Sequence, residues 1–441
     1  MSDRRRPVDK ARRAALDVLT AVRTDDAYAN LVLPQVLRKH GLQGRDAALA
    51  TELASGAIRM HGLYDAVIDA CLTKPRLQPE VRDVLRLGTH QLLSMRVPDH
   101  AAISTSVDLV RATVGHGPAG LVNAVLRAVS RRDLAAWASE VAPDRQDAPH
   151  AHLAVARSHP RWVVEALGEA LTARVGSDDE LDALLEADNA PPRVTLVARP
   201  GMATVEELEA SGGTRTGRSP YAVTLAGGDP AAVPAVAEGR AGVQDEGSQL
   251  VALALAEATV AGRDERWLDL CAGPGGKAAL LAAIAAQRGA VLVANERQPH
   301  RAALVASALR AAPDGAAHVL AGDGMRPAWV PGTFDRVLVD APCSGLGALR
   351  RRPESRWRRT PGDVEELVAI QQVLLDAALE SVRPGGVVVY ATCSPVVAET
   401  SDVVEAVLGR RGDTDEVDRF QLWPHRDGTD AMFAATLRRR A

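Results

Sequence analysis

The chain has 441 residues, 46% of them apolar, which is enough for two or three domains with real cores. Its 52 basic and 56 acidic residues leave a net charge of −4, so no whole-chain field marks a nucleic-acid binder and the question passes to local basic patches. Four cysteines without C-x-x-C spacing exclude a disulfide framework and a zinc site, no apolar run reaches membrane-spanning length, and the start M-S-D-R-R-R-P lacks a signal-peptide apolar region. A soluble, cytoplasmic, metal-free protein acting as a monomer is expected.

Residues 7 to about 135 read as helices throughout. Ala11, Ala15, Val18, Leu19 and Val22 recur at helical spacing, as do Val81, Val84, Leu85, Gly88, Leu92 and Met95, with Pro79 placed to open that second helix. Breaks fall at Gly41 to Gly44, Lys74-Pro75, Pro98 and Gly115 to Pro118. A basic cluster of Arg4, Arg5, Arg6, Lys10, Arg12 and Arg13 precedes them. Four stretches, Arg45 to Arg59, Leu85 to Leu93, Asp99 to Val110 and Gly120 to Arg127, together resemble the NusB-type RNA-binding domain. That resemblance implies a domain over residues 1–135 that binds RNA.

Residues 136–155, rich in Ala, Asp, Pro and His, read as a linker. Residues 156–240 then predict a small α/β element: a helix from Ser158 to Leu167, a strand from Pro192 to Ala198, a short helix from Val205 to Ser211 and a strand from Tyr221 to Leu225. Its edge is a candidate RNA platform.

Residues 241–441 alternate strand and helix, which predicts a mostly parallel, doubly wound sheet. Strands are expected at Arg266 to Leu270, Ala290 to Glu296, His318 to Asp323, Phe334 to Asp340 and Gly385 to Thr392, with Phe433 to Arg438 as an added antiparallel edge strand. Gly273, Gly275 and Gly276 follow the first strand and open a helix, and Glu296 ends the second strand, where an acidic side chain grips ribose hydroxyls. A phosphate-binding P-loop fails, because Cys271 stands where it needs Gly and Ala278 where it needs Ser or Thr. The loop also lacks the G-x-G-x-x-G spacing of a dinucleotide site, so an adenosine-type ligand without a phosphate fits better. The chain uses Arg almost everywhere and keeps Lys only at positions 10, 39, 74 and 277, so the compact charge of Lys277 at the glycine turn carries weight.

Cys343, in V-L-V-D-A-P-C-S-G, and Cys393, in V-V-V-Y-A-T-C-S-P, each close an apolar β-branched run and each precede a serine. Both thiols should therefore sit at strand carboxyl ends, where an open α/β sheet does its chemistry. A lone cysteine is usually a small buried hydrophobe, but two in matching contexts weaken that reading. After Cys343 come Arg350, Arg351, Arg352, Arg356, Arg358 and Arg359 with Trp357 among them, a basic and stackable stretch of the kind single-stranded RNA uses.

The ordered set of Val243 to Ala252, L-D-L-C-A-G-P-G-G-K, G-D-G, V-D-A-P-C-S-G-L-G, R-R-P-E-S-R-W and Y-A-T-C-S-P resembles the RsmB (Sun/Fmu) branch of the RNA cytosine-5 methyltransferases. The implied architecture is multidomain: an all-α NusB-like bundle, a small α+β element and a Rossmann-like α/β methyltransferase domain. The implied cofactor is S-adenosylmethionine, held by Cys271, Ala272, Gly273, Pro274, Gly275, Gly276, Lys277, Glu296, Asp323 and Asp340. The implied substrate is a cytosine in RNA, with 16S rRNA as the expected target and tRNA as the alternative. By the family's pattern Cys393 is the nucleophile, Cys343 assists release, and Asp340 faces nitrogen 3 and the amino edge of the base. The chain departs from the family at three places: Gly273 replaces the usual alanine, Glu296 the usual aspartate, and D-A-M-F (Asp430 to Phe433) the common D-G-F-F. A DNA cytosine methyltransferase would leave Cys393 and the NusB-like half unexplained, and a non-catalytic antitermination factor would explain that half only.

Overall fold

The computed structural model describes residues 9–25, 27–73 and 76–440. It divides into two compact units. The first holds residues up to Gly168 together with Asp178–Ala190 and Leu349–Arg358, and the second holds Glu169–Ser177, Pro191–Ala348 and the chain from Arg359 onward.

The first unit is helical, as expected. Helices Lys10–Thr24, Gly44–Arg59, Pro79–Leu93, Asp99–Thr113 and Ala119–Val129 bury one apolar stripe each around Ala14, Leu53, Val84, Leu85, Val110 and Leu126. Pro79 opens its helix, and Asp9 caps the first by accepting from the Arg12 amide at 2.9 Å. Gly88 is required by helix packing, since a Cβ there would lie 2.6 Å from Leu126. Residues 136–155 are not a linker: helices Leu134–Val141 and Pro149–Ala156 belong to this unit. Asp133, just ahead of the stretch, caps the first helix by accepting from the Ala136 amide, Asp144 closes the turn between the two by accepting from the Gln146 amide, and Pro149 opens the second. Trp137 is buried there and donates to the Val129 carbonyl at 2.8 Å.

The second unit carries two sheets among its described residues. The smaller contains β1 (Val194–Ala198), β2 (Gly213–Arg215), β3 (Ala222–Leu225) and β4 (Ala241–Val243), in the order β2-β3-β1-β4 and antiparallel throughout. Because β4 pairs with β1, a domain boundary at 240/241 cuts through this sheet.

The larger sheet contains β5 (Arg266–Asp269), β6 (Val291–Glu296), β7 (Ala317–Ala321), β8 (Phe334–Asp340), β9 (Val382–Thr392), β10 (Thr414–Gln421) and β11 (Phe433–Arg439). Its order is β10-β11-β9-β8-β5-β6-β7, with the five strands from β5 to β9 parallel. Helices on both faces bury β8 and β9 almost completely, which is why they read as unbroken apolar runs. β11 is antiparallel to β9 as expected, but it is not the edge: β10 pairs along its outer side. The sequence Thr-Asp-Glu-Val-Asp-Arg-Phe-Gln hides that strand, because an edge exposed to water tolerates charges that interior strands refuse. No helix among the described residues is long and apolar enough to cross a membrane.

Candidate active site

The strand order reverses at β5, whose neighbours are β6 and β8, and a parallel sheet opens a crevice at that point beyond its carboxyl ends. The glycine loop lies there, between β5 and the helix Gly276–Gln287. Gly275 caps that helix at φ +111°, and a Cβ on it would come within 2.6 Å of Ala308, so both backbone angle and packing demand glycine. The Ala272 amide donates to Asn295 O at 2.8 Å, which fastens the loop to β6 and turns Gly273, Pro274 and Gly275 along the crevice.

Glu296 ends β6, and its carboxylate accepts from the Gly273 amide at 3.1 Å and the Gln298 amide at 2.9 Å. Arg301 braces the same turn, 3.7 Å from Glu296 and donating to Gly273 O at 2.7 Å. Two of the departures from the family pattern meet here. A Cβ at position 273 would lie 2.0 Å from Glu296 Oε2, so the longer acid occupies the space an alanine methyl would need. Asp323 follows β7 and accepts from the Met325 amide at 3.1 Å. The two strand ends thus offer acceptors for hydroxyl and amine groups. Burial, then the negative Asp269, Asp340 and Glu296, pushes the Cys271 thiol well above the ordinary range.

Lys277, the only lysine of the second unit, turns away from the helix N-terminus, where its charge would be disfavoured. It donates to Asp340 Oδ2 at 2.8 Å, at the end of β8. Burial works against its charge, but Asp340, Cys393 and Asp269 outweigh that and hold it above the usual lysine range. Asp269 is fully buried, and no side-chain donor among the described residues reaches its oxygens. Burial first and the Asp340 charge second push its carboxyl up to about 8, with Lys277 pulling the other way.

Both thiols reach the same place. β8 and β9 are adjacent and in register, Asp340 opposite Ala391, so the loops that follow them run side by side. Cys343 Sγ and Cys393 Sγ stand 3.4 Å apart. The hydrogen bond Cys343 gives to Cys393, burial, and the charges of Cys393 and Glu399 together raise the Cys343 thiol well above its ordinary range. The D-A-M-F segment also acquires a position: Ala431 N donates to Gly347 O at 2.8 Å, and Gly347 N donates to Cys393 O at 2.9 Å. Its backbone therefore braces the Cys393 loop, and a Cβ on Gly347 would collide with Ala431 O at 2.2 Å.

Of the arginines after Cys343, Arg350 and Arg356 are buried, Arg351, Arg358 and Arg359 half-buried and Arg352 exposed, so the stretch is not an open basic face throughout. Residues Leu349–Arg358 belong to the first unit. Arg356 is completely buried there and donates to the Ser158 carbonyl at 3.1 Å, Asn189 Oδ1 at 2.8 Å and the Asp188 carbonyl at 3.3 Å. Trp357 stacks 5.1 Å from His61 over Gly62, while Arg352 and Arg358 lie over the Tyr28 ring. Of the N-terminal cluster, Arg4, Arg5 and Arg6 lie outside the described residues, and Arg12 and Arg13 are engaged by Gln91 and Asp17. Sequence reasoning passed over Asp269, Arg301 and Glu399. Asp269 lay inside a quoted motif, whereas a lone Glu in V-V-A-E-T gives no signal.

An acceptor-rich crevice at the switch point of a doubly wound sheet, with its one lysine already engaged by Asp340 and not open to a phosphate, defines an S-adenosylmethionine-dependent methyltransferase. Residues 258–438 match the family described as 16S rRNA methyltransferase RsmB/F, and residues 9–131 match the NusB family. A putative methyltransferase of Mycobacterium tuberculosis is 52% identical over 99% of this chain and 98% of its own. The ribosomal RNA small subunit methyltransferase B of Erwinia tasmaniensis is 32% identical over 96% of this chain and 97% of its own. The chain belongs to the RsmB/F family of ribosomal RNA methyltransferases. Among solved structures, PH0851 shares the fold over 98% of this chain and 99% of its own, with a TM-score of 0.78 at 21% identity. NSun6 from Pyrococcus horikoshii with SFG covers 63% of this chain and 98% of its own, with a TM-score of 0.54 at 16% identity.

Proposed function

We propose that this protein methylates carbon 5 of a cytosine in 16S rRNA in the cytoplasm, through a covalent adduct between Cys393 and carbon 6 of the base. The observation that carries this reading is the meeting of two thiols, 3.4 Å apart, at the ends of adjacent parallel strands. Lys277 and Asp340 stand at the same edge. Carbon 5 of cytosine is too electron-poor to attack a methyl sulfonium unaided. The Cys393 thiolate forms a bond to carbon 6 and pushes an electron pair to carbon 5, splitting one hard step into easier ones. S-adenosylmethionine, when held by the Cys271 to Lys277 loop, Glu296 and Asp323, supplies the methyl group that carbon 5 takes up.

Lys277 and Cys393 attract one another when both are charged, which favours the thiolate as well as the ammonium. Asp340, fixed by Lys277, is placed for nitrogen 3 and the amino edge of the base. Release requires the carbon 5 proton to leave, after which its electron pair restores the ring double bond and expels Cys393. Cys343 suits this second step. Its proton is held chiefly by Cys393, through a hydrogen bond and a negative charge, and both vanish once Cys393 is bonded to the base. Cys343 can then lose its proton to water and, as the thiolate, accept the one from carbon 5. The NusB-like half supplies RNA affinity, and the target base must be unpaired or flipped out to reach two thiols at once.

Incubation of each thiol variant with rRNA and S-adenosylmethionine, followed by a denaturing gel, tests the assignment. Cys393→Ala should abolish methylation, by roughly a thousandfold or more, and give no adduct. Cys343→Ala should accumulate a protein–RNA adduct that survives denaturation. Exchange of those two phenotypes would reverse the roles, and no adduct from a folded Cys343→Ala would remove the covalent mechanism.

A further inference from the structure

Past the last register pair the loops carrying the thiols leave the sheet, so strand pairing no longer fixes the distance between them. One buried side chain ties both. Glu399, at the end of the short turn Val397–Glu399, has no exposed surface. Its Oε1 accepts from the Ser344 amide at 2.7 Å and from Gln371 Nε2 at 3.2 Å. Its Oε2 accepts from the Ser344 hydroxyl at 2.5 Å and the Ser394 hydroxyl at 2.7 Å. Ser344 directly follows Cys343, Ser394 directly follows Cys393, and the two hydroxyls are 3.1 Å apart.

Glu399 is itself held from two further elements, through its backbone carbonyl and its carboxylate. The Tyr390 hydroxyl on β9 donates to the Glu399 carbonyl at 2.7 Å. Gln371, on the helix Pro361–Ser381, also donates to the Pro342 carbonyl at 2.9 Å, one residue before Cys343. An ionised carboxylate is an acceptor only, and four donors converging on its two oxygens satisfy it without water. A buried charge of this kind is costly to desolvate, so its presence at the junction of two thiol loops calls for a role that an apolar side chain could not fill.

We infer that Glu399 is the positioning residue of the thiol pair: by fastening Ser344 and Ser394 to one carboxylate it fixes Cys343 and Cys393 against a single base. The inference rests on the covalent reading above. Glu399 touches neither base nor methyl donor and acts through the serines. Its charge bears on Cys343 together with Cys393, and the buried Tyr390 hydroxyl, raised by burial and then by Cys343 and Glu399, stands in the same field. Lys277, paired with Asp340, also bears on Cys393 through its charge.

Full-length Glu399→Gln and the double variant Ser344→Ala with Ser394→Ala would be compared with wild type on rRNA containing 5-fluorocytidine, from which fluorine cannot leave as a proton does, so the adduct stalls. Wild type should form the adduct; if it does not, the covalent reading itself falls. In both variants adduct formation on the fluorinated RNA and kcat on unmodified rRNA should drop at least tenfold, while KM for unmodified rRNA and affinity for S-adenosylmethionine stay within twofold. Equal adduct rates in folded variants and wild type would overturn the positioning role and leave the covalent reading intact. So would a fall in activity matched by loss of the folded fraction in both variants, since that is what a purely structural network does.

Discussion

The strap of residues 349–358 and the carboxyl edge of the large sheet both concentrate charge, and they use it in opposite ways. In the strap, Arg356 is buried among carbonyl oxygens that need a donor, and its neighbours stack on Tyr28 and His61. These contacts are with fixed groups of the first unit. At the sheet edge the charges are set against one another: Lys277 on Asp340, Asp340 on Asp269, Glu399 on Cys343. A satisfied charge holds structure. A charge balanced against its like stores a tunable proton, which is why perturbed carboxyls and thiols gather where chemistry occurs.

The largest expected effect breaks the balance at the edge. The carboxyl of Asp269 is held at about 8 in the folded chain against 3.8 as its ordinary value. An acid whose folded value is raised favours the folded state only while protonated, so it costs stability progressively as pH rises from about 4 to about 8 and no further above that. Asp269→Asn should therefore gain on wild type across that window, by roughly 6 kcal/mol at most, since each pH unit is worth about 1.4 kcal/mol. Urea unfolding of both proteins at pH 5 and pH 8 measures the difference. A gap that does not widen with pH would mean that the charge is compensated.

Next in size is the strap. Arg356→Ala leaves carbonyls at Ser158 and Asp188 without their donor and opens a void, which should lower unfolding stability by about 3 kcal/mol. Burial, eased by Asp188, already holds this guanidinium down to about 10, so its worth lies in the carbonyls it satisfies. Affinity for S-adenosylmethionine in calorimetry should stay unchanged. Should the variant keep its stability and instead flatten the salt dependence of RNA binding, Arg356 would be a phosphate contact and the contrast between the two regions would fail.

The smallest effect sharpens the cofactor pocket. Gly273→Ala should weaken S-adenosylmethionine binding about tenfold, or ~1.4 kcal/mol, because the new methyl displaces Glu296. Adding Glu296→Asp should restore most of that loss, and a double-mutant cycle by calorimetry reads the coupling. Additive effects would show that the two departures are independent.

The same contrast marks what was legible in the sequence. Periodicity sets out the helices of the first unit and the β-branched runs of β8 and β9, because those elements bury whole faces and the pattern of burial is written residue by residue. The glycine loop and the paired Cys-Ser steps are legible for a related reason: close approach and strand ends impose residue types at fixed places. β10 is not, since an exposed edge accepts a charged sequence. Nor are residues 136–155, where caps and a single buried Trp137 organise what composition reads as a tether.

By itself, then, the sequence determined the element types, the methyltransferase crevice and the two thiols, through local periodicity and motif spacing. Only the tertiary structure decided which charges are partners. It sends the arginine run into the first unit, turns Lys277 onto Asp340, makes room at Gly273 for Glu296, and brings Glu399 to both serines. Those pairings join residues 23 to 198 positions apart in the chain, or five positions apart around a turn, and their energies depend on distance and burial that no spacing along the chain encodes.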